Sequence, residues 1–170
     1  ALTIILIIIS FRGWKNISTK DLRLHIFRNT VHYIGNLTWI IGVSLIPLAQ
    51  VFALEFSIPI WVALFAVLFL KEQLTIGKVI AIGSGFIGVL VILRPGLMAI
   101  DQGSLAVLCA ALCFATANVI TKSLSMTDNP LTILFLMFVM QLPISAIGAY
   151  FFWTVPVWED CPWIFLVGIM

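Results

Sequence analysis

Long apolar stretches separated by short polar loops dominate this chain and decide what it can fold into. Five of them approach the ~20 residues that an α-helix needs to cross a bilayer core of ~30 Å. They cover residues 30–46, 49–70, 76–93, 105–120 and 131–152. The composition agrees, since 62% of the 170 residues are hydrophobic and only 9% are charged, with a mean hydropathy of +1.20. We therefore predict an all-α, polytopic transmembrane helical bundle.

Both ends of the sequence are apolar stretches that are too short to be complete spans. Residues 1–9 and 163–170 each fall well below the length that a crossing requires. We therefore expect a partial helix at each end and interpret the chain as an internal fragment of a longer protein. A signal peptide does not fit residues 1–9, because no basic stretch precedes them and no small-residue cleavage site follows them.

The basic residues lie almost entirely on one side of the predicted bundle. Three alternate loops, at residues 10–28, 71–78 and 121–130, contain eight of the nine Lys and Arg residues. These eight are Arg12, Lys15, Lys20, Arg23, Arg28, Lys71, Lys78 and Lys122. By the positive-inside rule these loops are cytoplasmic, which predicts a multi-pass protein of the cell (inner) membrane. A formal net charge of only +2 gives no reason to expect a nucleic-acid partner.

A carboxylate inside the second span is the strongest site signal. Glu55 lies about six residues from the outer end of that span, and a charge at the centre of a span costs about 2.5–3.5 kcal/mol. Such a group faces a cavity or a polar partner, or stays protonated. Pro59 lies four residues further along the same face, and its missing N–H is expected to kink the helix. We interpret Glu55 as functional; the alternative is a structural carboxyl bonded to a neighbouring helix.

A polar stripe follows one face of the first complete span. His32, Tyr33 and Asn36, together with Asn29, recur at spacings of three and four residues. A water-filled pathway would suit this stripe, and a buried network of hydrogen bonds between helices explains the same spacing almost equally well. The sequence alone leaves both interpretations open.

The remaining polar positions carry weaker signals. Asn118 in the fourth span and Gln141 in the fifth are single polar residues, which more often bond helices together than bind a ligand. Cys109 and Cys113 share a helix face but have no His or acidic residue near them in the sequence. We therefore predict no metal site, no cofactor and no catalytic residues.

Several short motifs, in order along the chain, resemble the drug/metabolite transporter superfamily and, within it, the EamA-type permeases. The motifs combine a proline before the second span, a second proline after a serine, a lysine–glutamate pair, a glycine pair and a loop with Arg-Pro-Gly. They are Ile46-Pro47-Leu48-Ala49, Phe56-Ser57-Ile58-Pro59-Ile60, Leu68-Phe69-Leu70-Lys71-Glu72, Gly85-Phe86-Ile87-Gly88-Val89 and Arg94-Pro95-Gly96. The resemblance covers nearly the whole chain.

This resemblance implies a ten-helix transporter built from two inverted five-helix repeats, with both termini in the cytoplasm. On that basis residues 1–96 are the end of the first repeat, with part of helix 2 and helices 3–5. Residues 97–170 are the start of the second repeat, with helices 6–7 and part of helix 8. Folds of this kind bind their substrate near the midplane of the bilayer, between the repeats.

In this family the fourth helix lines the central cavity, which implies that Glu55, Ser57, Pro59 and Trp61 lie in or beside the substrate path. Family members often have an uncharged residue at the position of Glu55, so this carboxylate is a departure and the substrate class stays open. The pattern around Ser57 and Pro59 is also similar to that of S-adenosylmethionine uptake carriers, although amino-acid and drug exporters share much of it.

The sequence thus predicts a secondary transporter, not an enzyme, that moves a small metabolite or drug-like solute by alternating access, with proton coupling or exchange as options. The expected partners are that solute and the lipid bilayer, with a homodimer as a further option. One rival is a membrane-embedded enzyme that acts on a lipid with His32 and Glu55, which the predicted spans place roughly 20 Å apart at ~1.5 Å per residue. The other rival is a membrane scaffold that transports nothing.

Overall fold

The computed structural model describes residues 18–73, 75–93, 101–152, 155 and 157–162. Every regular element within these ranges is an α-helix, which confirms the predicted all-α class. The helices are α1 (Leu22–Leu45), α2 (Leu48–Glu55), α3 (Ile58–Leu70), α4 (Ile76–Leu93), α5 (Gln102–Leu124) and α6 (Pro130–Phe152). The partial helices predicted at residues 1–9 and 163–170, and the motif at residues 94–96, lie outside the described residues.

Membrane crossing follows from the length and apolarity of these helices. Within the described ranges, three helical stretches are long and apolar enough to cross a bilayer: Leu48–Leu70, Gln102–Leu124 and Pro130–Phe151. Helices α1 and α4 lie where the sequence predicts two further spans, and their crossing of the bilayer stays a prediction.

The helices extend into segments that the sequence predicts as loops. Helix α1 begins at Leu22 because the carboxylate of Asp21 accepts a hydrogen bond from the Leu24 N–H at 3.1 Å and so caps the first turn. Helix α5 continues to Leu124. The loops predicted at residues 10–28 and 121–130 are therefore wrong for residues 22–28 and 121–124, which are helical. Residues 76–78 were predicted both as loop and as the start of the third span, and α4 begins at Ile76 as the span predicts.

The second predicted span is interrupted. Helix α2 ends at Glu55 and α3 begins at Ile58, and Ser57 between them donates its N–H to the Leu54 carbonyl at 3.0 Å. Pro59 lies in the first turn of α3, where its missing N–H removes no helical hydrogen bond. The predicted distortion at Pro59 is thus present as a two-residue interruption just before the proline, in which Phe56 and Ser57 keep right-handed helical dihedral angles.

The chain divides into two units, one of which (Lys20–Asp128) contains α1 to α5, while the other contains α6. In the first unit α5 is central, since it packs against α1, α2 and α3. Small residues allow the closest approach: a Cβ atom added at Gly103 of α5 would lie only 2.6 Å from Ile46 Cγ2, and one added at Gly42 of α1 would clash with Val107. Helices α1 and α5 therefore meet almost backbone to backbone.

An ionic bridge ties the loop after α3 to α4 and α5. Glu72 Oε2 accepts a hydrogen bond from Lys78 Nζ at 2.8 Å, and Glu72 Oε1 accepts another from Lys122 Nζ. The bond from Lys122, followed by that from Lys78, lowers the pKa of Glu72 from 4.5 to about 2. One carboxylate therefore joins three separate segments of the first unit.

We expect this ionic bridge to stabilise the fold only while Glu72 is ionised. Because its folded-state pKa of about 2 lies below the ordinary value of 4.5, the stabilisation is complete above pH 4.5 and is lost as the pH falls through 2. Thermal unfolding of the protein and of Glu72→Gln measures this effect. The Tm difference between them should be present at neutral pH, shrink in high salt and vanish in acid. A difference that is the same at all pH values would contradict the assignment.

Candidate functional site

Glu55 lies at the break in the second predicted span. It is the last residue of α2, is half-buried, and lines an open groove of about 410 Å³ together with Phe52, Phe56, Ile58 and Pro59. Within the described part of the chain, Glu55 has no hydrogen bond or ion pair. A carboxylate that lies beside apolar side chains and has no partner among these residues is suited to bind a cationic group or to exchange a proton.

Ser57 and Trp61 present buried polar groups on the other side of the break. Ser57 is only 3% exposed, and neither its Oγ nor the Nε1 of Trp61 has a hydrogen-bond partner among the residues that the structure describes. Leaving such a buried group unpaired costs about 1–3 kcal/mol. The two residues are four apart at the start of α3 and so share a helix face, which makes them a pair of unused hydrogen-bond donors.

An aromatic row continues this face along α3. The ring centroids of Trp61 and Phe65 are 6.4 Å apart, and those of Phe65 and Phe69 are 5.8 Å apart with an edge-on geometry. The sequence reasoning missed Phe65 and Phe69, although their spacing of four residues after Ser57 and Trp61 was the available signal. The row offers aromatic faces and edges against which a flat ring can pack.

The polar stripe of α1 lies in a different place. Asn36 Nδ2 donates to His32 Nδ1 at 3.4 Å, and the His32 ring packs against Phe114 of α5, with centroids 5.4 Å apart. Tyr33 is half-buried beside them on α1. His32 therefore lies where α1 meets α5, whereas the groove at Glu55 is lined by residues of α2, α3 and the turn between them. The structure does not join the two predicted groups into one site.

The two single polar positions are also separate. Asn118 is exposed on α5, and Gln141 is half-buried on α6 in the second unit. The described ranges contain no group of three or more His, Cys, Asp or Glu residues that would hold a metal ion. Cys109, Cys113 and Cys161 are free thiols.

A buried polar network at the start of α1 was not foreseen from the sequence. His25 Nε2 and Asp128 Oδ2 are 2.9 Å apart, and their side chains are 0% and 1% exposed. Arg28 donates from Nε to Thr121 Oγ1 and from Nη1 to Asn29 Oδ1, each at 2.9 Å. These contacts join the beginning of α1 to the end of α5. Arg28, interpreted above as a topology signal in a loop, is instead a buried helix residue.

Comparisons with known proteins agree with the resemblance seen in the sequence. An S-adenosylmethionine uptake transporter of Rickettsia bellii is 24% identical over 97% of this chain and 57% of the relative. A riboflavin transporter of Brucella anthropi is 34% identical over 79% of this chain and 47% of the relative, and one of Vibrio cholerae is 26% identical over 91% and 52%. The chain thus spans about half the length of these curated relatives. No solved structure has a significant match to it.

Comparison with models of protein families identifies the family of this chain. The model of the EamA-like transporter family matches residues 1–94, which is more than half of the 170 residues. The matched region contains the interrupted span with Glu55, Ser57 and Trp61, as well as the stripe on α1. This chain belongs to the EamA-like transporter family.

Proposed function

We propose that this protein is part of a secondary transporter that moves a small organic solute across the cell (inner) membrane by alternating access. Membership of the EamA-like family and relatives named as transporters support this function. The observation that carries it is the interrupted span. Glu55 ends α2 beside an open groove, and Ser57 and Trp61, at the start of α3, carry buried donors that have no partner among the described residues. Broken helices at membrane depth are typical of transporter binding sites.

The solute that best fits this site has a flat nitrogen heteroaromatic ring. S-adenosylmethionine and riboflavin, for which the relatives are named, both contain such a ring. Ring nitrogens accept hydrogen bonds, which Ser57 Oγ–H and Trp61 Nε1–H are free to donate within the described residues. The aromatic row from Trp61 to Phe69 provides faces and edges for ring packing. Glu55 then pairs with a cationic group of the solute or carries the coupling proton.

The proposed topology follows from the loops and repeats. Residues 1–96 complete the first repeat and residues 97–170 begin the second, and the end of the family match at residue 94 supports this boundary. The basic residues before and at the start of α1, around the loop between α3 and α4, and at the end of α5 lie on the cytoplasmic side. Rocking of one repeat against the other then exposes the break between α2 and α3 alternately to the two sides.

Solute distribution in cells tests the proposal. Cells that express the complete reading frame are compared with cells carrying an empty vector, and accumulated or depleted compounds are identified by mass. We expect a chemically unmodified solute with a flat heteroaromatic ring to change its distribution across the membrane. A new lipid product would support the membrane enzyme instead, and an unchanged set of compounds would support the scaffold.

A further inference from the structure

A cavity of about 430 Å³ lies between α1, α3 and α5, apart from the groove at Glu55. The side chains that line it are mostly apolar and include the aromatic rings of Phe27, Phe65 and Phe69. The cavity is open on one side and has few polar groups to hold a polar ligand. Its chemistry therefore suits a hydrocarbon chain.

Cations flank the lining residues of this cavity on all three helices. The lining includes Leu24, Leu70 and Ser123. Each of these is next in the sequence to an exposed cation, namely Arg23, Lys71 and Lys122. These positions are the start of α1, the end of α3 and the end of α5. The contact of Arg28 with Thr121 and that of Lys122 with Glu72 bring these three helix ends together.

The positive charge at this end of the unit is not fully compensated. Among the residues that the structure describes, Glu72 is the one carboxylate that pairs with Lys78 and Lys122. Arg23 and Lys71 have no hydrogen bond or ion pair within the described ranges. The helix ends next to the cavity therefore carry more cations than this carboxylate neutralises, and two of these cations have no partner among the described residues.

The backbone at Lys71 is also unusual for a lysine. This residue ends α3 in the left-handed conformation, with φ 54° and ψ 33°. Glycine normally occupies this position of a helix end because a Cβ atom is disfavoured there. Residue 71 is nevertheless a lysine, so a cation is kept next to the cavity lining despite the strain of the left-handed backbone.

We propose that this cavity binds one acyl chain of an anionic phospholipid, whose phosphate contacts Arg23 and Lys71. Basic pockets between transmembrane helices bind anionic headgroups in this way, since the apolar walls take the chain and the cations take the phosphate. A zwitterionic lipid gains the apolar contacts but less of the electrostatic attraction. The site shares Phe65 and Phe69 with the aromatic row of α3, but lipid binding is measured without transport, so either proposal can fail while the other holds.

Native mass spectrometry of the full-length protein in a non-ionic detergent tests this site. The protein is mixed with equal amounts of phosphatidylglycerol and phosphatidylcholine that carry the same acyl chains, and the bound lipids are counted. We expect phosphatidylglycerol to be retained at least about fivefold more strongly. Lys71→Gly or Arg23→Gln should each lower its retention about fivefold, the effect of one cation near an anionic lipid. Phe69→Ala should lower the retention of both lipids.

The variants separate lipid binding from misfolding. Lys71→Gly relieves the left-handed strain and so leaves the fold at least as stable, and Phe69 is already 70% exposed. Lys71→Arg keeps the charge and should retain the wild-type preference. Equal retention of the two lipids, no retention of either, or a preference that survives both Lys71→Gly and Arg23→Gln would overturn the proposal. No retention would indicate that another segment of the full protein fills the cavity.

Discussion

Glu55→Gln should abolish transport while leaving expression and folding unchanged. Glutamine has nearly the same shape as glutamate but carries no charge and exchanges no proton. Removing one partner of a desolvated charge pair costs about 2–5 kcal/mol, so binding of a cationic solute should weaken by at least about 30-fold. Folding should not suffer, because Glu55 has no hydrogen bond or ion pair in the described residues that the substitution would break.

The matched control is Glu159→Gln. It makes the same chemical change at an exposed carboxylate in the segment after α6, and it should leave transport unchanged. Uptake of the solute identified by mass is followed as a function of pH for the wild type and both variants. If Glu55 carries the coupling proton, Glu55→Gln also flattens the pH dependence of any residual uptake. Transport by Glu55→Gln at the wild-type rate, with the wild-type pH dependence, would show that this carboxylate only contributes to packing.

The positions of the helices were predictable from the sequence because the length of an apolar stretch is itself a physical constraint. The centres of the predicted spans coincide with α1, α4, α5 and α6. Their ends were less predictable, since a helix continues beyond the apolar stretch until a cap or turn stops it. Asp21 caps α1, which begins at Leu22, eight residues before the predicted start of the span at residue 30.

The candidate site was predictable only in part. Glu55 stands out in any apolar stretch, and Pro59 marks the helix break. The unused donors of Ser57 and Trp61 depend on burial, which a single sequence does not reveal. The pairing of His25 with Asp128 joins residues 103 positions apart, and no local pattern indicates such a contact.

Asp128→Ala should be among the most destabilising substitutions in the first unit. The side chains of His25 and Asp128 are 0% and 1% exposed, and His25 Nε2 and Asp128 Oδ2 lie at a hydrogen-bond distance of 2.9 Å. Removing one member of this buried pair leaves the other polar group unsatisfied, which costs about 1–3 kcal/mol and more where the group is charged. Asp128→Asn keeps an oxygen that can accept the hydrogen bond, so its cost should be smaller. Asp101→Ala, which removes only a helix cap on Ser104, should cost about 1 kcal/mol.

A double-mutant cycle separates the pair from its surroundings. The free energies of unfolding of Asp128→Ala, His25→Ala and the double variant are measured in detergent. If the two side chains stabilise each other, the double variant loses less than the sum of the single losses, by about 0.5–3 kcal/mol. Additive losses would show that the contact contributes nothing of its own. Because this contact joins the start of α1 to the segment after α5, a strong coupling would mean that opening this end of the first unit requires the pair to break. The same pair would then limit how easily the proposed transporter opens on that side.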